Sequence, residues 1–546
     1  MKSIIFMWFT NRCLKVTGFG LLAALLLFNI VPVKGEGTSG LAMQRMPLLM
    51  PDDFESLKLV AWRVEEGEPD ANNPLLEPEM PWDLGGIMAH GTVLRDPIDG
   101  LWKAWQVSTP GEPTFEGLEA QHEFHRRLTY LESKDGVKWY RPDLDIVKWP
   151  GYEHNNIIFD MDSGGTSVYA SVFVHPENKE WPYEMFVMRS PKWAGLKINM
   201  VGGRPGPKER FGNYRYHSKD GINWVLFEGP IYPSHGGGGD VSYVYHMPNG
   251  SYVSYFKTYT PLRPEDRIIP YDNNSRGALR SVSRRTSPDG SDWGDENLVL
   301  LRDWRDPDYA QFLEICPVPV EGGFVALINY YDSSLQTMCL QLAASRDGIH
   351  WWRPDRRPAL PNPPLGDYGG GMIWQMHHPI VDGDRMYVYY AGSEGLHGEI
   401  HDTRFGPRIE VGNETVIGMH TPTLPFNTAL CRASWRFDRM WALVSSAGGV
   451  TLGEAVTKPR SDLAGGSLEL NVRVKPGGAL KAELLDAAGE PMAGYTLDDC
   501  VPVTGDHQQA RVTWKGGETM PNGAGKIRFQ LHRAFLYGYK SQVTER

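Results

Sequence analysis

The sequence predicts an all-β chain: a five-bladed β-propeller over residues 36–456, followed by a C-terminal β-sandwich over 457–546. Three observations predict it. The pattern Ser-x-Asp-Gly-x-x-Trp occurs four times, and each copy closes a similar block of strand-like sequence. Glycine (60) and proline (41) are abundant, as short strands joined by turns require. Helical periodicity is nearly absent.

The four copies begin at Ser133, Ser218, Ser287 and Ser345 and end at Trp139, Trp224, Trp293 and Trp351. Asp-Gly is a tight-turn dipeptide, because glycine takes φ > 0 and aspartate bonds its own backbone. The repeat is therefore a structural staple that phases the blades. Strands are expected at 88–95, 101–107 and 126–133 in the first block, and at 166–175, 183–189 and 214–218 in the second. The third block offers 241–246, 251–258 and 280–286; the fourth offers 315–320, 324–331 and 338–345. The fifth offers 374–381, 385–390 and 429–435, and its turn has degenerated to Arg436-Phe437-Asp438-Arg439. Strand–turn–strand–loop–strand–turn–strand is the unit of a propeller blade. After residue 457 the strands 467–474, 480–485, 510–514, 526–531 and 534–539, with a turn at Pro476-Gly477-Gly478, read as a small sandwich.

Residues 1–35 read as an export signal, Lys2, Arg12 and Lys15 preceding the apolar stretch 16–33; cleavage after Gly35 is expected, the alternative being an uncleaved anchor, since the stretch is nearly long enough to span a bilayer. A secreted or periplasmic protein is expected, with no later stretch apolar enough to span a bilayer. The formal net charge is −11, and losing the leader makes it more negative. Nucleic acid is thereby disfavoured as a partner, since phosphates need a basic stripe. Cys316, Cys339, Cys431 and Cys500 match no metal ribbon and are expected as buried free thiols.

In a propeller the innermost strands converge on the axis, and their starts frame a funnel. Acids distant in sequence can meet there. Asp83, the pair Asp160 and Asp162, Asp240 and Glu314 stand at the starts of the first four inner strands; the fifth has Trp374, Gln375, His377 and His378. Each has a plainer reading. Asp83 could cap a turn, Asp160 and Asp162 could be solvated, and one of the two histidines should be core. Asp240 follows four glycines, which let backbone approach a ligand. Glu314 begins an otherwise apolar strand, where an unpaired carboxylate is costly. Arg305-Asp306-Pro307, eight residues upstream, could hold a sugar hydroxyl pair or form a surface ion pair. His397 could hang over the same mouth.

Taken together, these features resemble the glycoside hydrolases of families 32, 43, 62 and 68, and family 32 most in architecture. Arg305-Asp306-Pro307 and Glu314-Ile315-Cys316-Pro317 are similar to that family's Arg-Asp-Pro and Glu-Cys-Pro elements, which hold its transition-state stabiliser and its acid/base glutamate. The family's Trp-Met-Asn-Asp-Pro-Asn-Gly signature is absent; Pro81-Trp82-Asp83 stands in a comparable place. The two short elements are also closer together than in the family.

The expectation is a secreted, exo-acting glycoside hydrolase with a carbohydrate substrate. Glu314 would be the general acid, Asp83 the base or nucleophile, and Asp240 the group that tunes the acid. Trp82, Arg305, Asp306, Trp374, His377, His378 and His397 would bind substrate. No cofactor is expected; a structural calcium on the propeller axis stays open, although no ligand spacing demands it. The sequence sets no oligomeric state. The rivals are a non-catalytic glycan-binding propeller and a polysaccharide lyase using a histidine base.

Overall fold

A computed structural model describes residues 46–109, 127–149, 151–159, 167–189, 212–233, 241–262, 278–397, 408–411, 414–417, 428–446 and 451–543. The leader, Asp160, Asp162 and Asp240 lie outside the described residues. Five antiparallel sheets follow one another along the chain. The first runs Gly86–Arg95, Trp102–Thr109, Arg127–Ser133, Trp139–Tyr140; Ile157–Phe159 adds to Arg127–Ser133. The second is Ser167–Val174, Tyr183–Arg189, Gly212–Ser218, Trp224–Pro233, and the third Ser242–His246, Tyr252–Pro261, Ala278–Ser287, Asn297–Leu300. The fourth is Ala310–Val320, Gly323–Asp332, Thr337–Ser345. The fifth is Met372–Gln375, Arg385–Ser393, Thr428–Arg436. The all-β expectation holds, and the strand blocks fall where the sequence places them.

The first strands of the five sheets lie side by side and bond to one another. Thr92 Oγ1 donates to Ala170 O (2.8 Å) and accepts from Val172 N (3.0 Å). Val244 N donates to Ser171 Oγ (3.0 Å), and Tyr245 OH to Ile315 O (3.3 Å). His377 N donates to Gly91 O (2.8 Å), and Val93 N to His377 O (3.2 Å), so the fifth sheet returns to the first. The expected strand 374–381 is interrupted here, because His377 pairs with the first sheet instead of its own. A core of Ile87, Val107, Leu128, Met185, Tyr243, Ile315 and Met372 runs continuously through all five sheets.

Each copy of the repeat makes the same turn. The serine Oγ accepts from the glycine N at 2.8–2.9 Å in all four, and the aspartate Oδ1 accepts from the two residues after the glycine. The glycines have φ of +72° to +84°. Each turn is also docked onto the preceding sheet. Tyr389 OH of the fifth sheet donates to Gly136 O (2.7 Å), and Trp105 Nε1 of the first to Gly221 O (2.6 Å). Arg215 of the second donates to Asp289 O (3.0 Å), and Tyr255 OH of the third to Gly348 O (2.7 Å). The fifth sheet lacks the repeat. There the fourth and fifth sheets join instead through a parallel Met338–Met372 pairing, with Met338 N donating to Gly371 O (3.1 Å).

The fifth sheet takes its outer strand from the start of the chain. Glu68–Pro69 pairs with Ser434 and Ala433, and Asp70 is ion-paired with Arg432. The degenerate turn Arg436–Arg439 therefore leads away, into Trp441–Ser445 of a seven-stranded sheet. That sheet also recruits Phe54–Lys58 and Val60–Val64. The boundary expected at 456/457 thus differs from the pairing, which puts 54–64 and 441–457 with the C-terminal strands. Gly466–Leu485 and Lys526–Val543 are two long antiparallel partners, and the expected turn at Pro476-Gly477-Gly478 is a bulge within the first of them. They curl around their own core of Leu470, Leu480, Trp514, Ile527 and Phe529. All four cysteines of residues 36–546 are buried free thiols, as expected.

Candidate active site

Chain direction sorts the connections. Within each four-stranded sheet the hairpin after the first strand and the Asp-Gly turn lie at one end. The connections between sheets lie at the other end, where the inner strands begin. Three inner strands are bulged near that end. Residues 90–91 lose register with the second strand of the first sheet, 169–170 face only Val187, and Leu313 with Glu314 face only Asn329. A bulge re-aims a side chain that strict alternation would send elsewhere. Gly91 is needed at the first bulge, since a Cβ there would lie 1.8 Å from Trp105 O. Tyr169 occupies the left-handed region at φ 58°, a costly place for an aromatic residue and one met where a site is held in shape.

An arc takes one side chain from every inner strand: His90, Tyr169 and Glu314 from the three bulges, with Tyr243 and Trp374 from the regularly paired third and fifth strands. The Trp374 ring is 5.2 Å from His90, His90 is 4.5 Å from Tyr169, and Tyr169 is 5.6 Å from Tyr243. Tyr243 in turn lies in the field of Glu314; burial first, then that carboxyl, push its hydroxyl pKa well up. Glu314 is 5% exposed, and its Oε1 has no hydrogen-bond partner among the described residues. Burial holds its carboxyl well above the usual range, against a smaller opposing pull from Lys257. Desolvation thus favours the neutral form of this acid beside the ring of Tyr243.

His377 lies beneath the arc, fully buried, with rings of Tyr243 and Tyr245 at 5.1 and 4.6 Å. Burial keeps it neutral. It is the core member of the histidine pair. His378 sits half-buried beside it at 4.7 Å, its pKa lowered by burial to about 4. The structure therefore gathers Glu314, Trp374, His377 and His378. His90, Tyr169 and Tyr243 were missed. A histidine followed by glycine inside an apolar strand signals the first; nothing in the sequence signals the other two.

Other expected residues lie elsewhere. Asp83 caps a turn, its Oδ1 accepting from Glu79 N (2.8 Å) and Met80 N (2.7 Å), and its Oδ2 is bound by Arg141 (2.8 Å). Burial still raises its pKa, with Arg141 opposing. These partners leave its carboxylate no free oxygen for a base's work. Trp82 is 2% exposed, bonded to Asn156 Oδ1 and edge-on to Trp149 and Tyr152, so it offers no open face to a sugar. Arg305 is exposed in a turn, and Asp306 is buried in ion pairs with Arg353 and Arg356. His397 packs 5.0 Å from Tyr331, whose ring lies under Arg280; Arg280 bonds Gln311 (3.0 Å), three residues before Glu314. Among the described residues no group of three or more His, Cys, Asp or Glu is placed to hold a metal ion, and no helix is long and apolar enough to cross a membrane.

Solved structures similar to this chain include glycoside hydrolases and other glycan-processing enzymes. A β-1,2-mannobiose phosphorylase from Listeria innocua is 13% identical, with 68% of this chain and 98% of that chain covered at a TM-score of 0.41. A thermostable family-43 glycoside hydrolase is 13% identical, over 56% and 84%, at 0.39. An N-acetylgalactosamine deacetylase from F. plautii, solved with blood group B trisaccharide, is 15% identical, over 73% and 96%, at 0.38. No protein-family model and no curated protein sequence matches the chain.

Proposed function

We propose that the chain is a secreted glycoside hydrolase in which five sheets serve as propeller blades, the curled C-terminal sheet packs as a sandwich, and Glu314 is the general acid. One observation carries this reading: a buried carboxyl, its pKa raised by desolvation, ends an arc of rings drawn from the other four inner strands. Cleaving a glycosidic bond needs a proton delivered to the leaving oxygen, and an acid neutral near pH 7 can deliver it. Asp83, tied to Arg141, is a poor candidate for the second carboxyl. Asp240, next in sequence to Val241 at the start of the third inner strand, takes that role in this proposal. Residues 1–35 act as the export signal, and release of a single small product would mark exo action.

The test is turnover by the purified mature protein on aryl glycosides and on plant and algal polysaccharides. Glu314→Gln should lower kcat by about 10²–10⁴, most on poor leaving groups, and Asp240→Asn should do likewise. Full activity in Glu314→Gln would end the assignment. The rival is a glycan-binding module without turnover, favoured by the engagement of Asp83. Binding by the parent protein with no hydrolysis of any substrate would establish it.

A further inference from the structure

We propose that Trp304 is a stacking platform for a glycan chain, separate from the arc. The residue is 91% exposed, while the next most exposed large apolar residue among those described, Leu335, is at 63%. Such an indole forgoes the burial that usually fixes a tryptophan in place.

The turn that presents it is built rigidly. Asp303 N donates to Asp306 Oδ2 (2.9 Å), Arg305 N to Asp303 Oδ1 (2.8 Å) and Asp306 N to Asp303 O (3.0 Å). Arg353 holds Asp306 from below (2.8 Å to Oδ1), and Arg356 holds Asp303 (2.5 Å). Arg353 also lies 4.7 Å over the ring of Phe312, two residues before Glu314. One buried ion pair, Arg353–Asp306, and one exposed pair, Arg356–Asp303, thus hold the backbone on either side of the indole. A platform held still in advance loses less entropy when a ligand arrives.

Position and surroundings point to a sugar. The turn lies on the connection from Asn297–Leu300 of the third sheet to Ala310–Val320 of the fourth. That is the end where the inner strands begin and where the arc sits. Arg302, Asp303, Arg305 and Asp308 are its neighbours along the chain, so a single flat apolar face stands in a charged turn. A protein partner would need a contiguous apolar patch of several hundred Å² (roughly). A pyranose needs one such face with hydrogen-bonding groups at its edge, which exposed Arg305 and Asp308 supply. A polymer bound in the arc could rest a more distant unit on Trp304.

The assignment rests on the carbohydrate-active reading of the chain and not on catalysis by Glu314. It is tested by affinity electrophoresis of the mature protein through gels containing xylan, arabinan, rhamnogalacturonan or carrageenan, with reducing-sugar release measured in parallel. The parent should be retarded in at least one gel. There Trp304→Ala should bind about tenfold more weakly, and Trp304→Phe should recover part of the loss. Equal retardation of Trp304→Ala and the parent in every gel overturns the proposal, and so does an unretarded parent. Retardation that depends on Trp304 without hydrolysis of any polysaccharide supports it while removing the hydrolase reading.

Discussion

Glu314 shows what a buried carboxyl, without a partner for Oε1 among the described residues, costs the fold. Its carboxyl keeps its proton in the folded state over a pH range where the unfolded chain releases it. The folded state therefore binds more protons, and stability falls as pH rises from the ordinary glutamate range toward the raised folded value. Below that range both states are protonated and the loss disappears. Glu314→Gln should accordingly be more stable than the parent at pH 7 and equal to it near pH 4, the difference growing by at most about 1.4 kcal/mol per pH unit. Thermal midpoints across that range would check it, and a variant less stable at pH 7 would contradict the desolvated state. Glu314 was legible because a lone acid in an apolar strand start is chemically conspicuous. Asp83 was misleading for the opposite reason: a capping aspartate and a catalytic one read alike until Arg141 is seen beside it. Tyr169 was hidden, since a left-handed φ in a non-glycine residue leaves no mark on composition.

At the level of elements, the repeat does two jobs that can be separated by substitution. Gly221 and Gly100 have nearly the same φ, +79° and +78°. A Cβ on Gly221 would lie 3.0 Å from Trp105 of the neighbouring sheet, whereas on Gly100 it would meet nothing within 4 Å. Gly100→Ala carries the conformational penalty alone, about 1 kcal/mol. Gly221→Ala adds the disturbed docking and should cost about 2–4 kcal/mol. Denaturant midpoints of the two variants should differ; equal midpoints would mean that the turn is not a load between sheets. The sequence revealed the turn, because Ser, Asp and Gly each bond within it. The docking was not legible, because Trp105, Arg215, Tyr255 and Tyr389 belong to other blocks and form no common motif.

For the whole molecule, the order of strands was readable and their partners were not. Period-two stretches and turn residues place each sheet of the first four blocks within a few residues. Nothing local announces that Glu68–Pro69 will pair with Thr428–Arg436, or that Val60–Val64 will pair with Trp441–Ser445. A chain beginning at Asp70 should lose the outer strand of the fifth sheet and two strands of the C-terminal sheet together. It should fail to accumulate as soluble protein, and a monomeric product with an unchanged melting temperature would refute that interdependence.

The same long-range pairing has a consequence for biosynthesis. Val60–Val64 leaves the ribosome hundreds of residues before Trp441–Ser445 exists. At ~5–20 residues per second, an exposed strand edge waits for tens of seconds without its partner. Delivery in an unfolded, escorted form, with folding begun only once the entire chain is present, would spare that edge from pairing with the wrong neighbour.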